Sequence, residues 1–124
     1  MKVLLSIKPE FVEQIFAGTK KYEFRKSMFK RDDVKSVIIY ASSPVRKIVG
    51  EFEIAGILSS DIDLIWDITK EYSGISRTYY DSYFQERKIA NAVQIGRITK
   101  FEQPKNLSDY NINKAPRSFC YISE

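Results

Sequence analysis

A chain of 124 residues, 44% of them hydrophobic and 14% aromatic, is long enough to bury a substantial core and too apolar to remain disordered, so residues 1–124 read as a single domain. It carries a net charge of +4, no histidine and one cysteine, Cys120, which excludes histidine-based nucleophile systems, an intrachain disulfide and a cysteine-histidine zinc site. No apolar run approaches the roughly 20 residues of a membrane-spanning helix, and Met1 to Ile7 is too short for a signal peptide's apolar region, so a cytoplasmic, non-membrane protein is expected. Any chemistry must use Lys, Glu, Asp, Tyr, Ser or Thr; no cofactor is implied, and no compact Asp/Glu cluster calls for a metal such as Mg²⁺.

In chain order, Val3 to Ile7 reads as a short strand. A helix follows, with Pro9 suited to its first position, Glu10 complementing its N-terminus, and Phe11, Val12, Ile15 and Phe16 forming one apolar stripe. Gly18 is its natural terminator, because glycine takes up positive φ without steric penalty. Lys21 to Lys26 reads as the next strand. Val34 to Ser43 follows, apolar on both faces through Val37-Ile38-Ile39-Tyr40-Ala41 and so expected to be central. Lys47 to Ser59 alternates clearly, with Gly50 and Gly56 on its apolar side, where glycines mark the bends or close backbone approaches of a small closed barrel.

A helical insertion comes next. Ser60 with Asp63 resembles a capping pair, Ile62, Ile65, Trp66 and Thr69 form one face, and Gly74 can end the helix. Ser76 can cap a second short helix carrying Tyr80, Tyr83, Phe84 and Arg87 at helical spacing. Ile89 to Phe101 returns to strand character, Pro104, Asn106 and Ser108 open a loop, and Ser118 to Ile122 closes the chain as a β-rich segment. The sum is about six strands and three helices.

The segment from Ala17 to Lys26 concentrates the chemistry. It sets Gly18, Lys20, Glu23 and Arg25 in a G-x-K-x-x-E-x-R spacing where a helix gives way to a strand. With a side-chain period of two, Tyr22 and Phe24 take one face and Lys21, Glu23 and Arg25 the other, so Glu23 and Arg25 lie roughly 7 Å apart along one side. They either pair with each other at the end of the barrel or share a ligand, Arg25 offering a planar donor fork to phosphate or a base edge and Glu23 accepting from an exocyclic amine. Lys20 has the opposite parity, but the glycine turn can aim it into the same mouth. It serves phosphate or base contact, catalysis if its pKa is lowered from about 10.4, or plain solvation. From Lys20 to Arg31 the chain has six basic residues and one acidic, a surplus suited to phosphate or to a solvated basic loop.

Further candidates come from position. Ser6 and Lys8 stand at the end of the first strand, before a helix start whose amides attract phosphate. Tyr40 with Ser42, near a central strand's end, and then Trp66 lead the residues on which a nucleobase could stack, with Tyr79, Tyr80 and Tyr83 also eligible; most aromatics must serve the core. Arg117 and Ser118 would bring a further cation and hydroxyl to the rim.

A strand, a helix ending in glycine, the G-x-K-x-x-E-x-R turn and a mostly β remainder resemble the ASCH domain, a small member of the PUA-like superfamily, over essentially the whole chain. The resemblance implies an α+β, mainly β fold: a small PUA-like β-barrel of about six strands flanked by about three helices, with a cleft at the motif. It implies RNA, a nucleotide or a nucleobase as partner, and a role in regulation or RNA metabolism. Some bacterial members are hydrolases that remove the acyl group of acetylated cytidine with the motif lysine, a threonine and a glutamate. The matching lysine is Lys20, but Glu23 stands where those enzymes carry threonine, and their glutamate has no motif-matched counterpart, although Glu51 and Glu53 lie on a strand. The alternative is therefore a hydrolase acting on a modified nucleoside or on RNA, with Lys20 and Glu23 as its catalytic pair.

Overall fold

The apolar alternation and the glycine stops yield six strands and three α-helices: β1 (Lys2–Ile7), α1 (Pro9–Ala17), β2 (Tyr22–Arg25), β3 (Ser36–Ala41), β4 (Lys47–Asp61), α2 (Ile62–Thr69), α3 (Arg77–Tyr83), β5 (Ile89–Lys105) and β6 (Phe119–Ile122). The computed structural model describes residues 1–123. Among the described residues all strands join one mixed sheet in the order β2-β5-β4-β3-β1-β6, in which only the β1–β3 pair is parallel. No helix among the described residues is long and apolar enough to cross a membrane.

α1 begins at Pro9 and ends on Gly18, whose φ of 83° lets its amide turn back to the carbonyls of Gln14 and Ile15. Its Val12 and Ile15 pack on Val3, Leu5, Ile7, Val37, Ile39 and Phe52, the main apolar cluster on one face of the sheet. The opposite face of β1 and β3 buries Leu4, Ile38 and Tyr40 beneath Leu107, Tyr110, Ile112 and Ala115. β3 is thus covered on both sides, as its unbroken apolar run requires. A third cluster packs Ile65 of α2 and Tyr80 and Phe84 of α3 on Phe24, Ala90 and Ala92.

β4 and β5 are longer than their alternation alone indicates, and their pairing shifts register near Gly50, Ile54 and Gly56, which bends the sheet. A Cβ on Gly50 would come within 2.7 Å of the Thr99 carbonyl oxygen and 2.8 Å of the Phe16 ring, so close backbone approach is what this glycine provides. Pairing of Asp61 with Ile89 carries β4 through Ser60, and this moves the α2 cap: Asp61, not Ser60, accepts from the Leu64 amide at 2.9 Å. Ser76 caps α3 as its sequence position indicates, accepting from the Tyr79 amide. Pro104 lies inside β5, and the loop beyond it folds into a 3₁₀ turn at Leu107–Tyr110.

Among the described residues the sheet is not closed into a barrel by backbone pairing. Its two edges are instead clasped by side chains. Arg25 of β2 donates from Nη2 to the Ser118 carbonyl at 2.6 Å, and the amides of Lys30 and Arg31 donate to the hydroxyl of Tyr121 on β6. The same motif arginine that the sequence singles out thus bridges the two edges of the rolled, barrel-like sheet.

Candidate functional site

The helix stop at Gly18 and the start of β2 are separated by only three residues, and Lys20, the middle one, turns inward. Its side chain is 2% exposed, one of the largest fully buried side chains in the molecule. The ammonium donates to the Ser73 carbonyl at 2.6 Å and lies 5.0 Å from the ring centroids of both Phe11 and Phe24. Gly74, at φ 72°, makes this possible: a Cβ there would approach the Lys20 side chain to 2.9 Å. Burial lowers the Lys20 pKa from its ordinary 10.5, and the Glu23 charge only partly opposes this.

Glu23 is 6% exposed, and its Oε2 accepts from Arg25 Nη1 at 3.3 Å. Burial raises its pKa from the ordinary 4.5, against the pull of Lys20 and Arg25. Parity thus holds as expected for Glu23 and Arg25, whereas Tyr22 and Phe24 turn into the helix-covered cluster. Lys21 leaves that face and lies 4.2 Å from the Tyr72 ring centroid.

These groups open into a cleft of about 130 Å³ lined by Ser6, Lys8, Lys20, Glu23 and Arg25 together with Phe11, Phe24, Ile75, Tyr79 and Tyr83. Lys8 donates to the Tyr79 hydroxyl at 3.1 Å, a bond that raises the lysine pKa, and Tyr79 stands edge-on to Phe11. Tyr83 donates to the Phe24 carbonyl, and burial raises its phenol pKa. Ser6 donates to the Pro116 carbonyl at 3.0 Å, which ties the start of the cleft to the segment before β6. The helix start adds little for an anion, since Pro9 lacks an N–H and the Phe11 and Val12 amides both bond the Lys8 carbonyl.

The other candidates lie elsewhere. Tyr40, 6% exposed, is buried on the far face of β3 among Leu4, Ile38 and Ile48, because the 107–115 segment folds over that face. Ser42 sits just beyond β3 with its amide on the Ile7 carbonyl, and it does not line the cleft. Trp66 packs against Tyr80, 4.9 Å between ring centroids, in the α2–α3 cluster. Arg117 and Ser118 line an adjoining trough of about 360 Å³ with Arg25, Lys26, Ser27, Tyr83 and Arg87. Glu51 pairs with Lys2 and Glu53 with Arg97, and neither lines the cleft. Among the described residues no group of three or more Asp, Glu or Cys side chains is placed to hold a metal ion.

Sequence reading misses one feature of the cleft and leaves another, the pair Tyr79 and Tyr83 among its stacking candidates, unplaced. The Ser73 carbonyl has no side-chain signature at all. Tyr79 and Tyr83 stand four residues apart on α3 and so share a face, a spacing legible in the sequence, but only the packing of Tyr80 and Phe84 inward identifies which face meets the cleft.

The opposed pKa shifts predict a pH dependence. A carboxyl with a raised folded-state pKa contributes stability that is full below 4.5 and is lost as pH rises through the folded-state value. Lys20 has the reverse sign: its contribution is full above 10.5 and is lost as pH falls through its lowered value. Thermal melts of the parent and Glu23→Gln should therefore show the parent losing ground as pH rises from about 4 towards neutrality. A gap that widens in the parent's favour would mean the carboxylate is net stabilised by its cations.

A six-stranded mixed sheet with a buried lysine and glutamate and a partly buried arginine at the helix-to-strand turn defines a small mainly β domain of the PUA-like kind. The chain belongs to the ASCH domain family, whose model matches residues 5–103. It is 34% identical over 121 residues to the ATP synthase subunit alpha of Ureaplasma parvum and 30% identical over 120 residues to the large ribosomal subunit protein uL22 of the same species. Each match covers 97% of this chain, but the chain spans 15% of the length of the first relative and 39% of the second. It is also 28% identical over 91 residues to an ASCH domain-containing ribonuclease of Zymomonas mobilis, covering 73% of this chain and 62% of that protein. The crystal structure of ASCH from Zymomonas mobilis shares the fold, with a TM-score of 0.90 at 24% identity over 99% of this chain and 88% of the other.

Proposed function

We propose that the chain is a cytoplasmic, single-domain RNA- or nucleotide-binding module of regulation or RNA metabolism, with the motif cleft as its binding site. The observation that carries this reading is the convergence of Lys20, Glu23 and Arg25 on one cleft flanked by Tyr79 and Tyr83. Three charged groups held largely out of water are costly to bury, and a ligand with both acceptors and donors, such as a base edge, recovers that cost. The tyrosines offer faces for stacking, worth about 1 to 3 kcal/mol per base. A relative named as a ribonuclease and another named as a ribosomal protein are both in keeping with an RNA partner.

The test is binding of a labelled single-stranded RNA across a salt series. Affinity should fall steeply with salt and drop about tenfold or more on Arg25→Ala. No binding at low salt would sink the RNA reading.

A second reading is a hydrolase acting on RNA or a modified nucleoside, favoured by the ribonuclease relative and by the opposed shifts of the cleft pair. A carboxyl raised and an ammonium lowered move towards the range where each can give or take a proton near neutrality. Incubation with labelled RNA and acylated nucleosides distinguishes it from binding alone, and turnover that survives both Lys20→Ala and Glu23→Ala would reject the pair as its machinery.

A further inference from the structure

Two concavities meet at the motif. The cleft of about 130 Å³ holds the buried charges, and the trough of about 360 Å³ continues from it, with Arg25 and Tyr83 in the walls of both. The cleft lies well below the roughly 300 to 1,000 Å³ of sites that enclose a whole small-molecule ligand. It admits one small planar group, and the remainder of any ligand must lie outside it.

The trough is the exit that the charges favour. Its cations are Arg25, Lys26, Arg87 and Arg117. Arg25 is committed to Glu23 and the Ser118 carbonyl. Lys26 lies 4.8 Å from the Tyr83 ring centroid, and among the described residues no carboxylate pairs with Lys26, Arg87 or Arg117. Three other surface arginines are neutralised, Arg31 by Asp33 at 2.7 Å, Arg77 by Asp63 and Asp81 at 2.6 and 2.8 Å, and Arg97 by Glu53 at 2.7 Å, while among the described residues the exposed Arg46 stands alone and away from both concavities. Three unpaired cations drawn from β2's far end, the segment after α3 and the segment before β6 thus line one concave wall.

We infer that the trough of Lys26, Arg87 and Arg117 is a backbone track for single-stranded RNA, holding the phosphodiester next to the one base that enters the cleft. The inference rests on the RNA-binding reading of the cleft and narrows its ligand from a free nucleobase or nucleoside to a polynucleotide. Lys and Arg that neutralise phosphates release counterions, and each phosphate contact adds about 0.7 to the salt slope on a single strand. The cation–π stack of Lys26 on Tyr83 holds one of these charges at the junction of the two concavities.

The experiment compares the parent with the double variant Arg87→Gln and Arg117→Gln, using a fluorescein-labelled ten-nucleotide single-stranded RNA and, separately, the four unphosphorylated nucleosides. Both arginines are exposed, so melting temperatures serve only to verify that the variant is folded. The double variant should lose about 25-fold in RNA affinity at 0.1 M salt, converge on the parent near 1 M, and show a salt slope smaller by about 1.4, with nucleoside binding unchanged. An unchanged slope for RNA, with nucleosides still bound, would overturn the track while leaving the cleft as a site. Loss of both RNA and nucleoside binding in the parent itself would overturn the cleft reading and the track with it.

Discussion

The double variant Lys20→Met and Glu23→Leu is expected to fold with a stability within about 2 kcal/mol of the parent while losing on the order of 100-fold in RNA affinity. Each charge is shifted towards its neutral form, Lys20 downward and Glu23 upward, and in both the larger cause is burial. The fold therefore bears a cost for holding them ionised, and replacing both by apolar residues of similar length removes it. Two terms oppose that gain: the Ser73 carbonyl loses its donor, about 1 to 3 kcal/mol for a buried acceptor, and Arg25 loses Glu23. Methionine supplies an unbranched, polarisable side chain of similar length in the place beside Phe11 and Phe24 where the Lys20 ammonium lies. Ligand binding has no such compensation, since two charge-assisted hydrogen bonds at about 1.5 to 3 kcal/mol each are lost together. Urea melts and RNA titrations on the same preparation check the prediction. A midpoint that collapses while affinity per folded molecule persists would make the pair a structural brace and move the site elsewhere.

The single variants separate the two charges. Lys20→Met alone leaves Glu23 with Arg25 as its remaining cation, and a carboxyl already raised by burial can take up a proton, so the loss is milder than for an isolated buried charge. Stability kept and affinity lost in the double variant would mark the pair as retained for a ligand, the usual trade between stability and function.

What was legible in the sequence was local. Gly18 announces its own positive φ, and a period of two over Tyr22–Arg25 is enough to put Glu23 beside Arg25. The unbroken apolar run of Val37 to Ala41 announces a strand covered on both faces, and the glycines of β4 announce a bent sheet. The rest depends on partners distant in the chain. Lys20 is buried because the Ser73 carbonyl, 53 residues away, meets its ammonium, and no pattern near Lys20 reports that loop. Tyr40 resembles a stacking platform until the 107–115 segment closes over it. Ser60 loses the cap to Asp61 because pairing with β5 extends β4 by two residues beyond Ser59. The barrel expectation met a similar limit: curvature follows from glycines and register shifts, but whether the edges pair through backbone or side chains is decided where β2 meets β6.

That junction makes Arg25→Ala the second large effect: a loss of about 2 to 3 kcal/mol and a fall in melting temperature of about 10 °C. One guanidinium serves both roles, Nη1 on Glu23 and Nη2 on the Ser118 carbonyl, at 3.3 and 2.6 Å. Its side chain is 12% exposed, so water replaces neither bond fully. The substitution leaves Glu23 with Lys20 alone and frees the segment leading into β6, an edge strand of four residues paired only to β1. Hydrogen exchange should locate the damage: the Phe119–Ile122 amides should lose protection first, ahead of β3 and β4 at the sheet's centre. Arg25→Lys separates charge from geometry, because an ammonium can meet the carboxylate or the carbonyl but lacks the planar fork that reaches both. It should recover part of the stability and little of the edge protection. Uniform loss of protection across the sheet, or full rescue by lysine, would show that Arg25 acts as a point charge and that the two edges are held together by other contacts, such as those of Tyr121 with the Lys30 and Arg31 amides.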